Sequence, residues 1–277
     1  MKNDLLNKIF SYYRKARMRV LPPIIIYQVG KVGSKTIEAS LKNIKLRNAV
    51  YHAHFLSWDN MEAVEKELLA EPNAQPPRWL RRLRSLRRLI DENPGVRWKI
   101  ITGVREPVIR EISDVFQNLE RDMPDLDKDD EEASLERIRR HVLKIFKDFN
   151  ETTDYTCCWF DKELKDVFSV DVYASDFNKE AGYKIYSSDK GDILLIRLED
   201  LSRCAREAFQ EFLGIENFSL SKDNIGDKKW YSALYRWLLD SIIIPRDDLD
   251  RIYSSRYARR FYTEEEIAGF RKRWTRE

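Results

Sequence analysis

The chain is poor in cysteine and histidine. Its three cysteines, Cys157, Cys158 and Cys204, are an odd number in 277 residues, which excludes a disulfide framework. Its three histidines, His52, His54 and His141, form no CxxC or HxxxH spacing with each other or with the cysteines, so no zinc pattern exists and no metal is expected. No apolar run approaches 18 residues, so no transmembrane helix is expected. The longest run, Pro22 to Val29, has the length of a strand. Charges at Lys2, Asp4 and Lys8 break any signal-peptide core in the opening residues, and a cytoplasmic protein is expected. There is no repeat and no low-complexity linker. Nor does one charge dominate: Lys and Arg number 50 against 47 Asp and Glu, a net +3. That balance excludes a histone-like packager of DNA. Any polyanion must be met by local basic patches.

Apolar material is ample. Hydrophobic residues make up 43% of the chain and 33 residues are aromatic, which supports a real core and excludes wholesale disorder. The length suits one large α/β domain or two small ones. A single α/β domain over 22–277 is the better reading, preceded by a basic amphipathic helix within 1–21. In that helix Leu5, Leu6, Ile9, Phe10 and Tyr13 recur at 3–4 spacing among Lys8, Arg14, Lys15, Arg17 and Arg19. A peripheral helix packed on the domain is the plain reading, and membrane-surface or partner docking the other.

Pro22 and Pro23 end that segment. Ile24 to Gln28 reads as the first core strand, Ser34 to Lys42 as a helix, and Ala49 to His52 as a short strand. Helices are predicted over roughly 58–70 and 77–92, a strand over Arg97 to Gly103, and a helix opening at Pro107, where the first turn tolerates proline. Helices over about 131–148 and 153–165 follow. A β region over 167–173 and 183–197 comes next, with a hairpin turn at Ser188-Asp189-Lys190-Gly191. Leu201 to Leu213 is a helix stopped by Gly214. Helices near 228–241, 246–254 and 263–275 finish the chain. Strands alternating with helices predict a mainly parallel sheet with helices on both faces.

Ligands of such sheets sit beyond the carboxyl ends of the strands. Gly30-Lys31-Val32-Gly33-Ser34-Lys35-Thr36 follows the first strand, His52-Ala53-His54 the second, Arg105 the third, and Arg197, Glu199 and Asp200 the last. The first of these has the chemistry of a phosphate cradle. Glycines allow a tight turn with N–H groups facing an anion, hydroxyls come from Ser34 and Thr36, and a helix N-terminus follows. It is no Walker A sequence, which needs glycine at 29 and 34, where Val29 and Ser34 stand, although Lys35-Thr36 match its ending. The third strand ends in Arg105 rather than in the aspartate that helps hold Mg²⁺ in metal-dependent NTPases. Ser113, eight residues on, returns to nearly the same side of the next helix, so Arg105 and Ser113 can grip one phosphate. Histidine is the natural base near neutral pH, and His52 and His54 share one side if the chain stays extended. Asp59 and Glu106 are the carboxylate alternatives. His141, mid-helix among basic residues, is given no role.

These residues resemble a known family. Val29 to Thr36 is similar to the 5′-phosphosulfate loop of sulfotransferases that use 3′-phosphoadenylyl sulfate (PAPS). Val104-Arg105-Glu106-Pro107 with Ser113 is similar to their 3′-phosphate element. Leu194 to Leu201 and Phe209 to Gly214 resemble their late strand and helix. Lys229-Trp230-Tyr231-Ser232 resembles the signature of a bacterial group named for capsular polysaccharide synthesis (NKWYS), with Lys228 where that signature has asparagine. The likeness spans roughly 22–275. It implies a three-layer, P-loop-like fold with a helical C-terminal part, and transfer of a sulfuryl group from PAPS, as co-substrate and without a metal, to a hydroxyl of a saccharide or glycoconjugate. It also implies that Gly30, Lys31, Val32, Gly33, Ser34, Lys35, Thr36, Arg105 and Ser113 bind the nucleotide. Lys31 is the choice for the leaving oxygen, with Lys35 as runner-up. His54-Phe55-Leu56 resembles the base-bearing segment of polysaccharide 2-O-sulfotransferases, which favours His54 as base and leaves His52 structural. The alternatives are a P-loop kinase using ATP, and a non-catalytic nucleotide-binding scaffold of polysaccharide assembly.

Other features carry less. Arg78 to Arg88, six arginines around Trp79, Leu80, Leu83 and Leu86, reads as a solvated face or as a dock for an anionic glycan or membrane surface. No reading motif accompanies it, so no nucleic-acid partner is expected. Asp125, Asp127, Asp129 and Glu136 have EF-hand spacing, but Asp130 stands where the glycine belongs, which favours a solvated acidic loop. Trp230 and Tyr231 could stack on adenine or pack in the core.

Overall fold

A computed structural model describes residues 12–13, 15–69, 75–127, 129–221 and 229–276. Five strands form one sheet: β1 (Ile24–Tyr27), β2 (Val50–Ala53), β3 (Trp98–Val104), β4 (Tyr183–Ser188) and β5 (Gly191–Arg197), in the order β2-β1-β3-β5-β4. β1 runs parallel to β2 and β3, β3 parallel to β5, and β4 closes the far edge antiparallel to β5. All four residues of β1 are buried, as a strand covered on both faces must be. Alternate side chains point to opposite faces. Ile24 and Ile26 enter one apolar cluster, and Ile25 and Tyr27 the other.

The helices are α1 (Ser34–Lys42), α2 (Trp58–Leu68), α3 (Arg78–Asp91), α4 (Pro107–Asp122), α5 (Glu131–Lys147), α6 (155–168), α7 (Leu201–Leu213), α8 (Ser232–Ser241), α9 (Arg246–Tyr253), α10 (Arg256–Phe261) and α11 (Glu264–Thr275). α1 and α7 cover one face through Ile37, Leu41, Leu201, Phe209 and Phe212. The larger cluster on the other face draws on α4, α5, α6 and the C-terminal helices, for example Ile112, Phe116, Ile138, Trp159, Tyr257 and Phe261. The arrangement is an α/β fold around a mostly parallel sheet.

Two sequence expectations fail. The β region over 167–173 is instead the end of α6 and the turns after it. There Val167, Phe168, Val170 and Val172 are buried as core residues, so an apolar run of strand character serves a helix end. α10 was unforeseen because six residues are too short for periodicity to register. Of the N-terminal helix, most lies outside the described residues. Over 15–20 the chain is helical and Met18 is buried in the larger cluster, as in a helix packed on the domain. No helix among the described residues is long and apolar enough to cross a membrane.

α6 widens into a π-helical turn over Phe160–Lys165, an irregularity that re-aims side chains. Here it presents Glu163, which is fully buried. Oε2 accepts from the Tyr27 hydroxyl, from Leu56 N at 2.7 Å and from Ser57 N at 2.9 Å, while Oε1 accepts from Ser57 Oγ at 2.9 Å and from Asn60 Nδ2. A buried charge persists only when its lone pairs are filled. This one joins β1, the turn after β2 and the start of α2. Replacing Glu163 by Ala would strand two buried backbone N–H groups, and we expect a loss of about 3 kcal/mol in urea unfolding. A change under about 1 kcal/mol would mean that the network is not structural.

Candidate functional site

The segment between β1 and α1 turns by two left-handed residues. Gly33 has φ 94° and Lys31 has φ 73°. At Gly33 the positive φ favours glycine, and a Cβ there would also press on Leu198 Cδ1 at 2.7 Å. Lys31 has no such licence, and its conformation costs about 1–3 kcal/mol. Neighbours hold it there. Arg105 Nη1 donates to Lys31 O at 3.2 Å, Lys31 Nζ donates to Gln117 Oε1 at 3.1 Å, and Arg110 Nε donates to the adjoining Gly30 O at 3.3 Å. Beneath the loop, β3 comes so close at Gly103 that a Cβ would lie 3.0 Å from Val32 O. Val32 is buried and serves as the apolar plug of the turn.

α1 starts at Gly33, which offers no side-chain cap. The N–H groups of Ser34, Lys35 and Thr36 therefore lack partners within the helix, and the helix dipole favours an anion in front of them. They line a cleft of about 510 Å³, together with Lys31, His52, His54, Arg105 and Lys229. A narrower cavity of about 270 Å³ adjoins it, sharing Lys31, Arg105 and Lys229 and adding Ser113, Tyr231 and Tyr235.

Arg105 stands at the end of β3 with its backbone fastened at both groups. Its N–H donates to Tyr257 Oη at 3.1 Å, and that hydroxyl donates to Arg105 O at 3.0 Å. Nη1 reaches Ser113 Oγ at 2.9 Å, and Ser113 contacts the Tyr235 hydroxyl at 2.8 Å. The pair anticipated eight residues apart is thus in direct contact. Lys31, Lys35, Arg105 and Lys229 have no carboxylate ion pair among the described residues. Burial, followed by the charges of Lys229 and Arg105, lowers the Lys31 pKa from its ordinary value to about 8, and Asp114 offsets only part of this. Such crowding of cations is relieved by an anion.

His52 and His54 lie side by side, ring centroids 4.8 Å apart. His54 Nδ1 is 2.9 Å from the Gln28 carbonyl. A carbonyl only accepts, so this contact assigns the proton to Nδ1 and leaves the Nε2 lone pair free. The Trp159 indole N–H donates to His54 O at 2.8 Å, holding the backbone. His52 Nδ1 pairs with Glu38 at 3.2 Å, and burial lowers its pKa despite that partner.

Several anticipated residues lie elsewhere. Arg197 is buried and fully engaged by Asp200, by Glu266 at 2.8 Å and by the Phe261 carbonyl at 3.1 Å, so the pattern of cations at strand exits stops at β3. Glu106 is buried away from the cleft. It caps α4 through Val108 N at 2.9 Å and Ile109 N at 2.7 Å and accepts from Tyr253 Oη at 2.5 Å. Asp59 sits exposed in the first turn of α2. Tyr231 packs on Phe116 at 5.6 Å and lines the narrower cavity, while Trp230 is 41% exposed. Lys228 lies outside the described residues. In the acidic loop Asp130 caps α5 and Asp125 pairs with Arg137 at 3.0 Å. Among the described residues no three His, Cys, Asp or Glu side chains gather to hold a metal ion.

Other cleft residues escaped the sequence reading. Asp114 and Gln117, with Arg110 and Ser113, form a polar stripe on α4 at 3–4 spacing, turned to the loop. That stripe, on a helix otherwise buried by Ile112, Val115, Phe116 and Leu119, was the available signal.

Residues 134–263, less than half of the chain, match the family NKWYS, described as "Putative capsular polysaccharide synthesis protein". The matched stretch contains Lys229 to Ser232 but not the β1–α1 loop, His54, Arg105 or Ser113. No curated protein and no solved structure matches the chain.

The cation cluster makes a prediction independent of any reaction. In an NMR titration, identified by its loss in Lys31→Arg, the Lys31 ammonium should deprotonate near pH 8. Saturating sulfate, which stays a dianion over this range, should move the midpoint upward. An unmoved midpoint would exclude anion binding beside Lys31.

Proposed function

We propose that the chain is a sulfotransferase. It moves a sulfuryl group from PAPS to a hydroxyl of a saccharide or glycoconjugate and acts in the synthesis of a capsular or extracellular polysaccharide. On this reading the three-layer fold is P-loop-like. The observation that supports it most is one cleft in which an uncapped helix N-terminus and four cations face a histidine with a free Nε2. The family named for polysaccharide synthesis supports the setting.

PAPS brings a sulfuryl group already activated on a 5′-phosphate. The N–H groups and hydroxyls of Ser34 and Thr36, with Lys35, hold that phosphate, and Gly30 to Gly33 let the backbone wrap it. Arg105 and Ser113 take the 3′-phosphate. Lys31 neutralises the charge that builds on the leaving bridge oxygen, a role in which a preorganised cation contributes most. His54 Nε2 takes the proton of the acceptor hydroxyl as that oxygen bonds to sulfur. The bond between sulfur and the 5′-phosphate oxygen breaks, and its electron pair departs with adenosine 3′,5′-bisphosphate.

Calorimetry should find adenosine 3′,5′-bisphosphate bound without Mg²⁺ and more tightly than ATP with Mg²⁺. The opposite preference would favour an ATP-dependent kinase and sink this reading. In a labelled-PAPS transfer assay, Lys31→Ala should lower turnover about 10²–10³-fold and His54→Ala about 10²–10⁴-fold, with His52→Ala much milder. Unchanged turnover in His54→Ala would move the base to another group.

A further inference from the structure

The His52 ring lines more than the cleft. It also lines a larger groove, about 780 Å³, formed by residues of β2 and α3. Val50 and Tyr51 of β2 and Leu83, Leu86 and Leu89 of α3 form its apolar floor. Arg78, Arg81 and Arg82 line it as well. α3 buries Leu80, Leu86 and Ile90 against the domain. Positions 78, 81, 82 and 85 recur at 3–4 spacing, so they share the face turned along the strand.

The arginines of α3 divide into two sets. Arg84 is neutralised by Glu65, and Arg87 is buried against Asp91 at 2.9 Å, Asp166 at 3.3 Å and the Leu56 carbonyl at 3.1 Å. These are structural. Arg78, Arg81 and Arg82 are exposed, and among the described residues they have no carboxylate partner and no acidic side chain lines the groove. Three guanidinium groups therefore stand over an apolar floor whose lining includes His52, the residue this groove shares with the cleft.

We propose that this groove holds the acceptor and that the acceptor is an acidic saccharide chain, its sugar carboxylates paired with Arg78, Arg81 and Arg82 and its reacting hydroxyl delivered past His52 to His54. The assignment of the reacting end rests on the sulfotransferase reading. Guanidinium is planar and meets a carboxylate with two parallel hydrogen bonds. Tyr51 and the leucines suit the apolar faces of sugar rings. A volume of this order accommodates a short oligosaccharide. A neutral glycan would leave the three charges without partners, and the concave floor does not fit a bilayer surface.

The test is calorimetric titration of the full chain with hexagalacturonate, with maltohexaose as the neutral counterpart. Hexagalacturonate should bind, more weakly as salt rises, and maltohexaose should not. The double variant Arg81→Ser, Arg82→Ser should weaken hexagalacturonate binding by about tenfold or more. Its affinity for adenosine 3′,5′-bisphosphate should be unchanged, which also shows that it is folded. Arg78→Ser alone gives the same direction should the double variant not fold. Arg88→Ser, exposed on α3 outside the groove, should alter neither. Hexagalacturonate binding indifferent to the arginines would overturn the proposal. So would arginine-dependent binding of phosphatidylserine vesicles without binding of hexagalacturonate. Arginine-dependent hexagalacturonate binding in a chain that takes no adenosine 3′,5′-bisphosphate would leave the saccharide groove standing and remove the donor reading.

Discussion

A single buried carboxylate holds the candidate-site side of this molecule in register. Among the described residues Glu163 has no cationic partner. It is satisfied by five donors drawn from β1, from the turn after β2 and from the start of α2. Each of these segments is short, and β1 and β2 are only four residues long. Ladder hydrogen bonds alone would leave the turn after β2 free to shift. The carboxylate fixes where that turn leaves the sheet, and with it the place of His54, two residues before Leu56. The π-helical turn of α6 is what brings Glu163 to this depth.

The cleft is built by opposing costs. Lys31 adopts a left-handed backbone that its side chain disfavours, and its ammonium is pressed by Lys229 and Arg105. Neither feature stabilises the free protein. Both persist because α4 grips the loop at Gly30 O and Lys31 Nζ while Arg105 grips Lys31 O. A site so assembled is organised before its ligand arrives, so little reorganisation accompanies binding.

Much of this could be read from the residues. The β-branched run at Ile24, the alternation of strands and helices, Pro107 at a helix start, Gly214 at a helix end and the two-residue hairpin turn are local signals, and local chemistry decides them. The loop from Gly30 to Thr36 and the Arg105–Ser113 spacing are likewise short-range patterns. What could not be read depends on partners far along the chain. Glu163 meets groups 103 to 136 residues away. Arg197 resembles Arg105 in its setting at a strand end, yet Glu266, 69 residues later, consumes its charge. Glu106 differs from a catalytic carboxylate only because Tyr253 and the first turn of α4 enclose it. Part of each enclosure is local, Asp200 beside Arg197 and the first turn of α4 beside Glu106, but Glu266 and Tyr253 complete it from far along the chain.

The strand order leaves β2 at one border of the sheet, so among the described residues its outward N–H and C=O groups have no ladder partner. Such borders invite another extended chain to add itself, the usual route from folded protein to aggregate. Here the border is brief, and three guanidinium groups stand along it. An approaching hydrophobic strand would have to desolvate them without compensation. The basic helix therefore also acts as a guard against self-association, whatever ligand the groove takes.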